Sequence, residues 1–427
     1  MSLKVVEMRD CRVAVLSPAP RNDSRVSFPP LDVLSSRGAK PRCDLVVYPR
    51  IAAAALALAL GITVSGAAPN GQQQARLVAR SVLPAMTFRA GSPATGAFFS
   101  ASDREAARAN GIPGPSEGPY FPSQPVQGFS SMIPADGKTW WALADNGYAW
   151  RPNSGDFQLS MVRIDPRWGE AGGPKVLETI LFRDPDHHIP WTILCDRASG
   201  KALPPFSFNA MPPAPAACGG DPKARILTGF DLDPESFVRA PDGTFWISEE
   251  FGPFLVHVGA DGTVLEAPIA FPGVASPQNP FLKYTDRAQA VNDRQMLIIE
   301  RDNLGDDQAA PRFKKVFLID LSQAAARGGY VGKTLLLDLL AIPDPAGVGG
   351  DGDFFRMPFY TIESVHVVDE RTLLIASDNN FPFSHGRARS RRADRSGSLV
   401  ADDTEFILVR LGTPLDVDRR LLPSAGH

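Results

Sequence analysis

The stretch ESFVRAPDGTFWISEEFG, Glu235 to Gly252, reads as strand, Pro-Asp-Gly turn, strand, and it ends on two adjacent carboxylates. Two further stretches align with it without a gap: ESVHVVDERTLLIASDNN (Glu363–Asn380) and SSMIPADGKTWWALADNG (Ser130–Gly147). Ser236, Ser364 and Ser131 coincide, as do Thr244, Thr372 and Thr139, and so do the acids Glu250, Asp378 and Asp145. A shorter fourth stretch, VNDRQMLIIERDN (Val291–Asn303), matches VDERTLLIASDNN position by position. The turns are built from Asp, Asn, Gly and Pro, which favour tight reversals. The arms are rich in β-branched and aromatic residues, as strands prefer.

Repetition of such antiparallel units predicts an all-β protein, and a β-propeller of five or six blades in particular, since blades are small four-stranded sheets set around a channel. A two-sheet sandwich is the alternative that spacing leaves open. The 40 prolines and 37 glycines agree with many short segments and turns.

In a propeller, equivalent strand ends converge at one mouth of the channel. Carboxylates gathered there repel and raise one another's pKa unless a cation sits among them. Hard oxygen donors suit Ca²⁺, or another hard divalent ion, and not zinc or copper. The candidates are Asp145, Asn146, Asp231, Asp233, Glu235, Glu249, Glu250, Glu300, Asp302, Asn303, Glu363, Asp378, Asn379 and Asn380. Any one of them alone reads first as a turn or solvated-edge residue; it is the coincidence after alignment that points to a site. Glu235 and Glu363 open their strands among apolar neighbours, where an unpaired carboxylate is costly.

The 427 residues, 44% hydrophobic and 21% charged, imply a folded core. A net charge of −3 gives no support to a nucleic-acid partner. Arg50, the apolar run Ile51–Val64 and the small residues at Ser65 and Ala67 form the three-part pattern of a secretory signal, too short to span a bilayer. Export to the periplasm or outside the cell is therefore expected, with cleavage after Ala67 or Ala68. The domain reading is a doubtful extension over 1–45, the signal region 46–68, a Pro/Gly-rich lead-in with the first strands 69–124, the propeller 125–411 and a tail 412–427. Beyond the signal only Cys195 and Cys218 remain, and in an oxidising compartment two cysteines most simply form one disulfide. The six histidines form no HExxH, so zinc chemistry has little support.

Several stretches resemble the phytase-like family described as "esterase-like activity of phytase". They are QGFSSM (Gln127–Met132), LADNGY (Leu143–Tyr148), RDPDHHIPW (Arg183–Trp191), LTGFDLDPESFVRAPDGTFWISEEFGPFLVHVGADGTVLEAPI, SPQNP, IERDN, FKKVFLIDL, IESVHVVDERTLLIASDNNFPFSHGR and DDTEFILVRL (Asp402–Leu411). The resemblance implies an exported propeller that hydrolyses phosphate or other esters with Ca²⁺ held by carboxylates, with Glu235, Glu250, Glu300, Asp302, Glu363 and Asp378 as functional positions. One departure stands out. The family's further stretch between SPQNP and IERDN, with its Glu-Gly-Met motif, is shortened here, so that about one blade near residue 281 is missing.

The expected chemistry is metal-assisted hydrolysis of a small-molecule ester, above all a phosphomonoester, by a monomeric chain. Asp145, Asp233, Glu235, Glu250, Glu300, Asp302, Glu363 and Asp378 would hold metal; Glu235 and Glu363 would also act in catalysis, with Arg301 and Arg387 as phosphate clamps. The basic run Gly386–Arg395 reads first as a solvated loop. A serine nucleophile is disfavoured, because no Gly-x-Ser-x-Gly elbow is present. The alternatives are a non-catalytic propeller that uses Ca²⁺ to lock its blades while binding a ligand or partner, and a lactonase-like propeller with one ion in its channel.

Overall fold

The computed structural model describes residues 2–8, 11–17, 75–199, 218, 222–252, 254–270, 288–306, 308, 312–323, 331–350, 352–387 and 400–422. The signal-like segment and most of the basic run after Arg387 lie outside them. An N-terminal hairpin pairs β1 (Ser2–Met8) with β2 (Cys11–Ser17). Strand β3 (Arg76–Leu83) follows, then a helix, α1 (Ala101–Ala109), capped by Ser100 and Asp103 in a reciprocal box.

Four four-stranded antiparallel sheets make up a β-propeller among the described residues. The first is β4 (Phe129–Pro134), β5 (Trp140–Ala144), β6 (Ser160–Asp165) and β7 (Lys175–Leu181). The second is β8 (Pro234–Arg239), β9 (Phe245–Glu249), β10 (Phe254–Val258) and the short β11 (Ile269–Ala270). The third is β12 (Ala288–Ala290), β13 (Gln295–Arg301), β14 (Lys314–Asp320) and β15 (Lys333–Asp338). A two-stranded ribbon, β16 (Ile342–Pro343) with β17 (Phe354–Phe355), leads to the last blade. That blade is β18 (Thr361–Asp369), β19 (Thr372–Asp378), β20 (Thr404–Arg410) and, at its outer edge, β3 from the other end of the chain. Pairing of β3 with β20 joins a strand from before the first blade to one after the third, and completes the four strands of that blade.

Each repeat read from the sequence is the first hairpin of a blade. In the Glu235–Gly252 unit, the Thr244 amide donates to Asp242 Oδ1 at 3.0 Å, and Gly243 takes the positive φ of +89° that closes the turn. The aligned positions share a further feature. Ser130, Glu235 and Glu363 each sit at a register shift between the first two strands of their blade, between Phe129 and Ser131, Pro234 and Ser236, and Ile362 and Ser364. A bulge of this kind re-aims one side chain.

The blades meet through their inner strands: β4 lies against β18 and β8, while β12 and β13 lie against β18. The strands β5 and β19 are buried along their whole length, because neighbouring blades cover both their faces. Phe129, Met132, Trp140 and Ala142 of one blade share a core with Leu374, Ala376 and Phe406 of the next. Residues 271–287, between the second and third blades, lie outside the described ones, and this is where the shortened stretch falls.

Candidate functional site

The acids that end the second strand of three blades stand beside the residue two positions before the bulge. The Asp145 amide donates to the Gly128 carbonyl at 2.8 Å, and the Glu250 amide to the Asp233 carbonyl at 2.9 Å. Asp378 pairs with Thr361 in the same way, and Thr361 Oγ1 donates to its carbonyl at 2.8 Å. The three blades thus present one frame at one mouth and differ in what fills it. Where one blade has Gly128 and another Thr361, the β8–β11 blade has a carboxylate, Asp233.

That substitution makes the cluster. Carboxylate oxygens of Asp233, Glu235 and Glu250 all lie within 4.8 Å of one another, and among the described residues these three form the group close enough to share an ion. Asp233 is buried, while Glu235 and Glu250 are half-exposed. Burial, and then the charges of Glu235, Glu250 and Asp145, push the Asp233 carboxyl well above the usual carboxylate range; the Asn146 amide opposes this.

The first blade supplies the support. The Asn146 amide nitrogen donates to Asp233 Oδ2 at 2.8 Å, and its backbone N–H to Oδ1 at 3.1 Å. Asp145 accepts from the Gly147 N–H at 2.7 Å. Gly128, at φ +68°, lies so close that a Cβ there would sit 2.7 Å from Asp145 Oδ1. The same clasp recurs one blade earlier, where Asn379 Oδ1 accepts from the Gly128 N–H at 3.2 Å and Asn379 Nδ2 donates to Gln127 Oε1 at 2.7 Å.

Glu249 does different work from its neighbour Glu250. Its buried carboxylate accepts the N–H groups of Phe251, Gly252 and Phe254 at 2.9, 2.6 and 2.9 Å, and so holds the residues that follow β9. Burial pushes it up to about 7 despite these donors. Asp231 likewise ties down loops, accepting from the Leu194 N–H at 2.7 Å and from the Thr228 N–H and hydroxyl at 2.9 Å.

The other predicted positions lie elsewhere around the blades. Glu363 is buried and accepts from Arg301 Nη2 at 2.9 Å, with the Ser130 hydroxyl 3.4 Å from its other oxygen. Asp378 accepts from the Asn380 N–H at 2.8 Å. Glu300 pairs with Lys333 of β15 at 2.7 Å. Asp302 accepts from the Phe313 N–H at 2.6 Å and pairs with buried Lys314 at 3.1 Å. Asn303 accepts from Arg301. Arg387 is buried between the rings of Phe355 and Phe359, and its Nε pairs with Glu405 at 2.8 Å. It stitches the last blade and its ribbon together and is not grouped with the acidic cluster.

Some residues were not singled out from the sequence. The motif RDPDHHIPW folds around Asp184, which receives the N–H groups of His188 and Ile189 at 2.9 Å each and pairs with buried Arg225. Arg225 also holds Asp196 at 2.8 Å, next to the Cys195–Cys218 disulfide. Arg151 lies over the rings of Phe230 and Phe251 at 4.6 and 5.1 Å, where it feels the charges of Asp231 and Glu249. Nothing in the spacing of Arg225 or Arg151 marks them, since their partners are remote in the chain.

Fold and site together define a β-propeller with a carboxylate cluster at one mouth. The chain belongs to the phytase-like family described as "esterase-like activity of phytase", whose model matches residues 124–282 and 282–381. An uncharacterized secreted protein of Arthroderma benhamiae is 35% identical over 97 residues, which is 22% of this chain and 18% of that protein. The match thus spans under a fifth of that relative. A luciferin-regenerating enzyme structure aligns over 79% of this chain and 96% of its own, at 11% identity and a TM-score of 0.21. Among the described residues no helix is long and apolar enough to cross a membrane.

Proposed function

We propose that the chain is an exported, cation-dependent ester hydrolase acting on a small-molecule phosphomonoester. The observation that carries the reading is the convergence of Asp233, Glu235 and Glu250 within 4.8 Å at the channel mouth. The donor set fits a hard divalent ion, Ca²⁺ in the first instance: every donor is a carboxylate oxygen, and like charges held this close call for a counter-ion. Asp233, Glu235 and Glu250 would hold it, with Asp145 adding charge from the neighbouring blade. When bound, the ion would supply positive charge to an ester oxygen and lower the pKa of a water.

The chain's own residues set the stage. Asn146 fixes both oxygens of Asp233, and Gly147 fixes Asp145. Glu249 holds the turn that aims Glu250. Glu235 sits at its bulge, and its half-exposed carboxylate would take a proton from an attacking water. The family's description supports ester hydrolysis, and the secreted relative supports export.

The test is a panel of phosphomonoesters, carboxylic esters and lactones, assayed with Ca²⁺ and after chelation. Calcium-dependent phosphate release is expected, reduced ~10²-fold or more in Glu235→Gln with the fold retained, as for loss of a positioned base. Turnover of lactones alone would move the protein to another hydrolase class. Calcium-induced stabilisation without turnover of any ester would leave a binding propeller.

A further inference from the structure

The chain has six tryptophans, and five of them are packed. Trp140 and Trp141 are buried, and Trp168 lies against the core shared by the first and last blades. Trp191 stacks on Phe254 with ring centroids 4.8 Å apart, and Trp246 on His257 at 4.0 Å. Among the described residues Trp150 alone packs on neither a core nor a ring, and at 66% it is the most exposed of the large apolar side chains. Its place is fixed from both sides. Four residues earlier, Asn146 grips Asp233 of the acidic cluster. One residue later, Arg151 donates to the Phe230 carbonyl and lies over the rings of Phe230 and Phe251, the latter next in sequence to Glu250. The backbone between is held too: the Trp150 N–H donates to the Tyr148 carbonyl at 2.7 Å, and the Trp150 carbonyl accepts from the Ser154 hydroxyl at 2.8 Å. Tyr148 is fully buried and Ala149 takes a φ of 61°, so the chain turns between a ring sent into the core and a ring left in solvent. Left-handed backbone at a residue other than glycine persists only where the surroundings over-determine it, and such residues gather at ligand sites.

We propose that Trp150 is a specificity-determining residue, an indole platform at the rim of the acidic cluster on which a flat apolar ring in the organic part of the substrate stacks. This rests on the ester-hydrolase reading above and names its substrate class: an ester whose alcohol carries such a ring. A single exposed apolar residue is ordinary in itself. Here, however, the exposed ring stands on a loop anchored to the cluster-bearing blade, and its backbone is held in a strained turn. An indole face left in water is recovered by burial under a second ring, and offset stacking adds to the area term. With only two side-chain torsions and a backbone already fixed, little ordering entropy is lost when a ring settles on it. The carboxylates thus meet the polar head of the ester, and Trp150 meets the rest.

The test titrates two non-hydrolysable probes, benzylphosphonate and methylphosphonate, calorimetrically into the full chain with Ca²⁺ present. They share one anionic head and differ in the ring. The wild type should hold benzylphosphonate roughly tenfold tighter, the scale of a ring stack together with the area it buries. Trp150→Ala should bring that ratio close to one, and Trp150→Phe should retain most of it. Benzylphosphonate should also shield the wild type from acrylamide quenching of its tryptophan fluorescence. In turnover, benzyl phosphate should be favoured over methyl phosphate by a similar ratio in kcat/KM, carried by KM. Equal binding of the two phosphonates by the wild type, or a ring preference that Trp150→Ala leaves in place, would overturn this inference and leave the hydrolase reading standing. A ring preference that depends on Trp150, without turnover of any ester, would overturn the hydrolase reading and keep the platform. A wild type that binds neither phosphonate would overturn the inference, and the ester panel would then judge the hydrolase reading by itself. Should Trp150→Ala not fold, the wild-type ratio and the acrylamide shielding still decide.

Discussion

Asn146 reaches out of its own blade and grips the carboxylate of Asp233 in the next, one oxygen by its backbone N–H at 3.1 Å and the other by its side-chain amide at 2.8 Å. The clasp joins two blades and aims one acid of the cluster. Asn146→Ala should therefore weaken both fold and site. A loss of about 1–3 kcal/mol is expected, the range for a buried hydrogen bond to a charged partner. Urea unfolding monitored by tryptophan fluorescence measures it, and an unchanged midpoint would show that the clasp contributes no stability.

Glu235 should change the sign of its effect with the ion. Without a cation it repels Asp233, so Glu235→Gln in chelator should raise the melting temperature by about 2 °C. With Ca²⁺ at a hundredfold excess over its dissociation constant, binding adds about 2.7 kcal/mol to the wild type. The variant should gain much less and melt below it. Equal shifts on calcium addition in both proteins would contradict the ligand assignment.

Gly128 is confined twice, by its φ of +68° and by the Asp145 carboxylate that a Cβ would meet at 2.7 Å. Gly128→Ala should cost roughly 1–3 kcal/mol from backbone strain and displace Asp145 from the mouth. A weaker calcium affinity, read by calorimetric titration, separates it from a purely structural lesion.

Cys195 and Cys218 close a loop with a sequence separation of 23 residues beside the Arg225 ion triad. Chain-entropy reasoning gives such a crosslink about 3 kcal/mol. The Cys195→Ala/Cys218→Ala double variant should unfold at lower urea by that amount. Dithiothreitol should bring the wild type to the same midpoint and leave the variant unmoved; a wild type indifferent to reductant would argue against the crosslink.

His366 is buried edge-on against Trp140, and burial pushes its pKa from 6.5 down to about 4. The unfolded chain takes up this proton from about pH 6.5 downward, the folded chain only near pH 4. The stability owed to neutral histidine is therefore complete above pH 6.5 and is lost as pH falls through that window. Relative to the wild type, His366→Met should gain roughly 2–3 kcal/mol between pH 7 and 4.5. Because the comparison is between variants, the opposing shifts of Glu249 and Asp402 cancel. A difference that stays flat with pH would rule out the buried neutral ring.

The amino-acid sequence by itself determined the unit of this protein. Hairpin arms, turns, the coincidence of Ser130, Glu235 and Glu363, and that of Asp145, Glu250 and Asp378 are all local, so a linear alignment reveals them, and the structure turns the first set into three equivalent bulges. The disulfide was legible too, because only two cysteines remain after the signal-like segment. Folding in three dimensions decided which acids meet. Asp233 could be told from Gly128 and Thr361 only once the blades were superposed in space, and Glu363 faces an arginine while Glu235 faces acids. Arg387, read as a phosphate clamp, lies between two phenylalanines, and β3 closes the last blade from the far end of the chain. The reason is physical: strand propensity and turn chemistry act between neighbours in sequence, whereas charge pairing and burial act between neighbours in space, and those are fixed only when the blades come together.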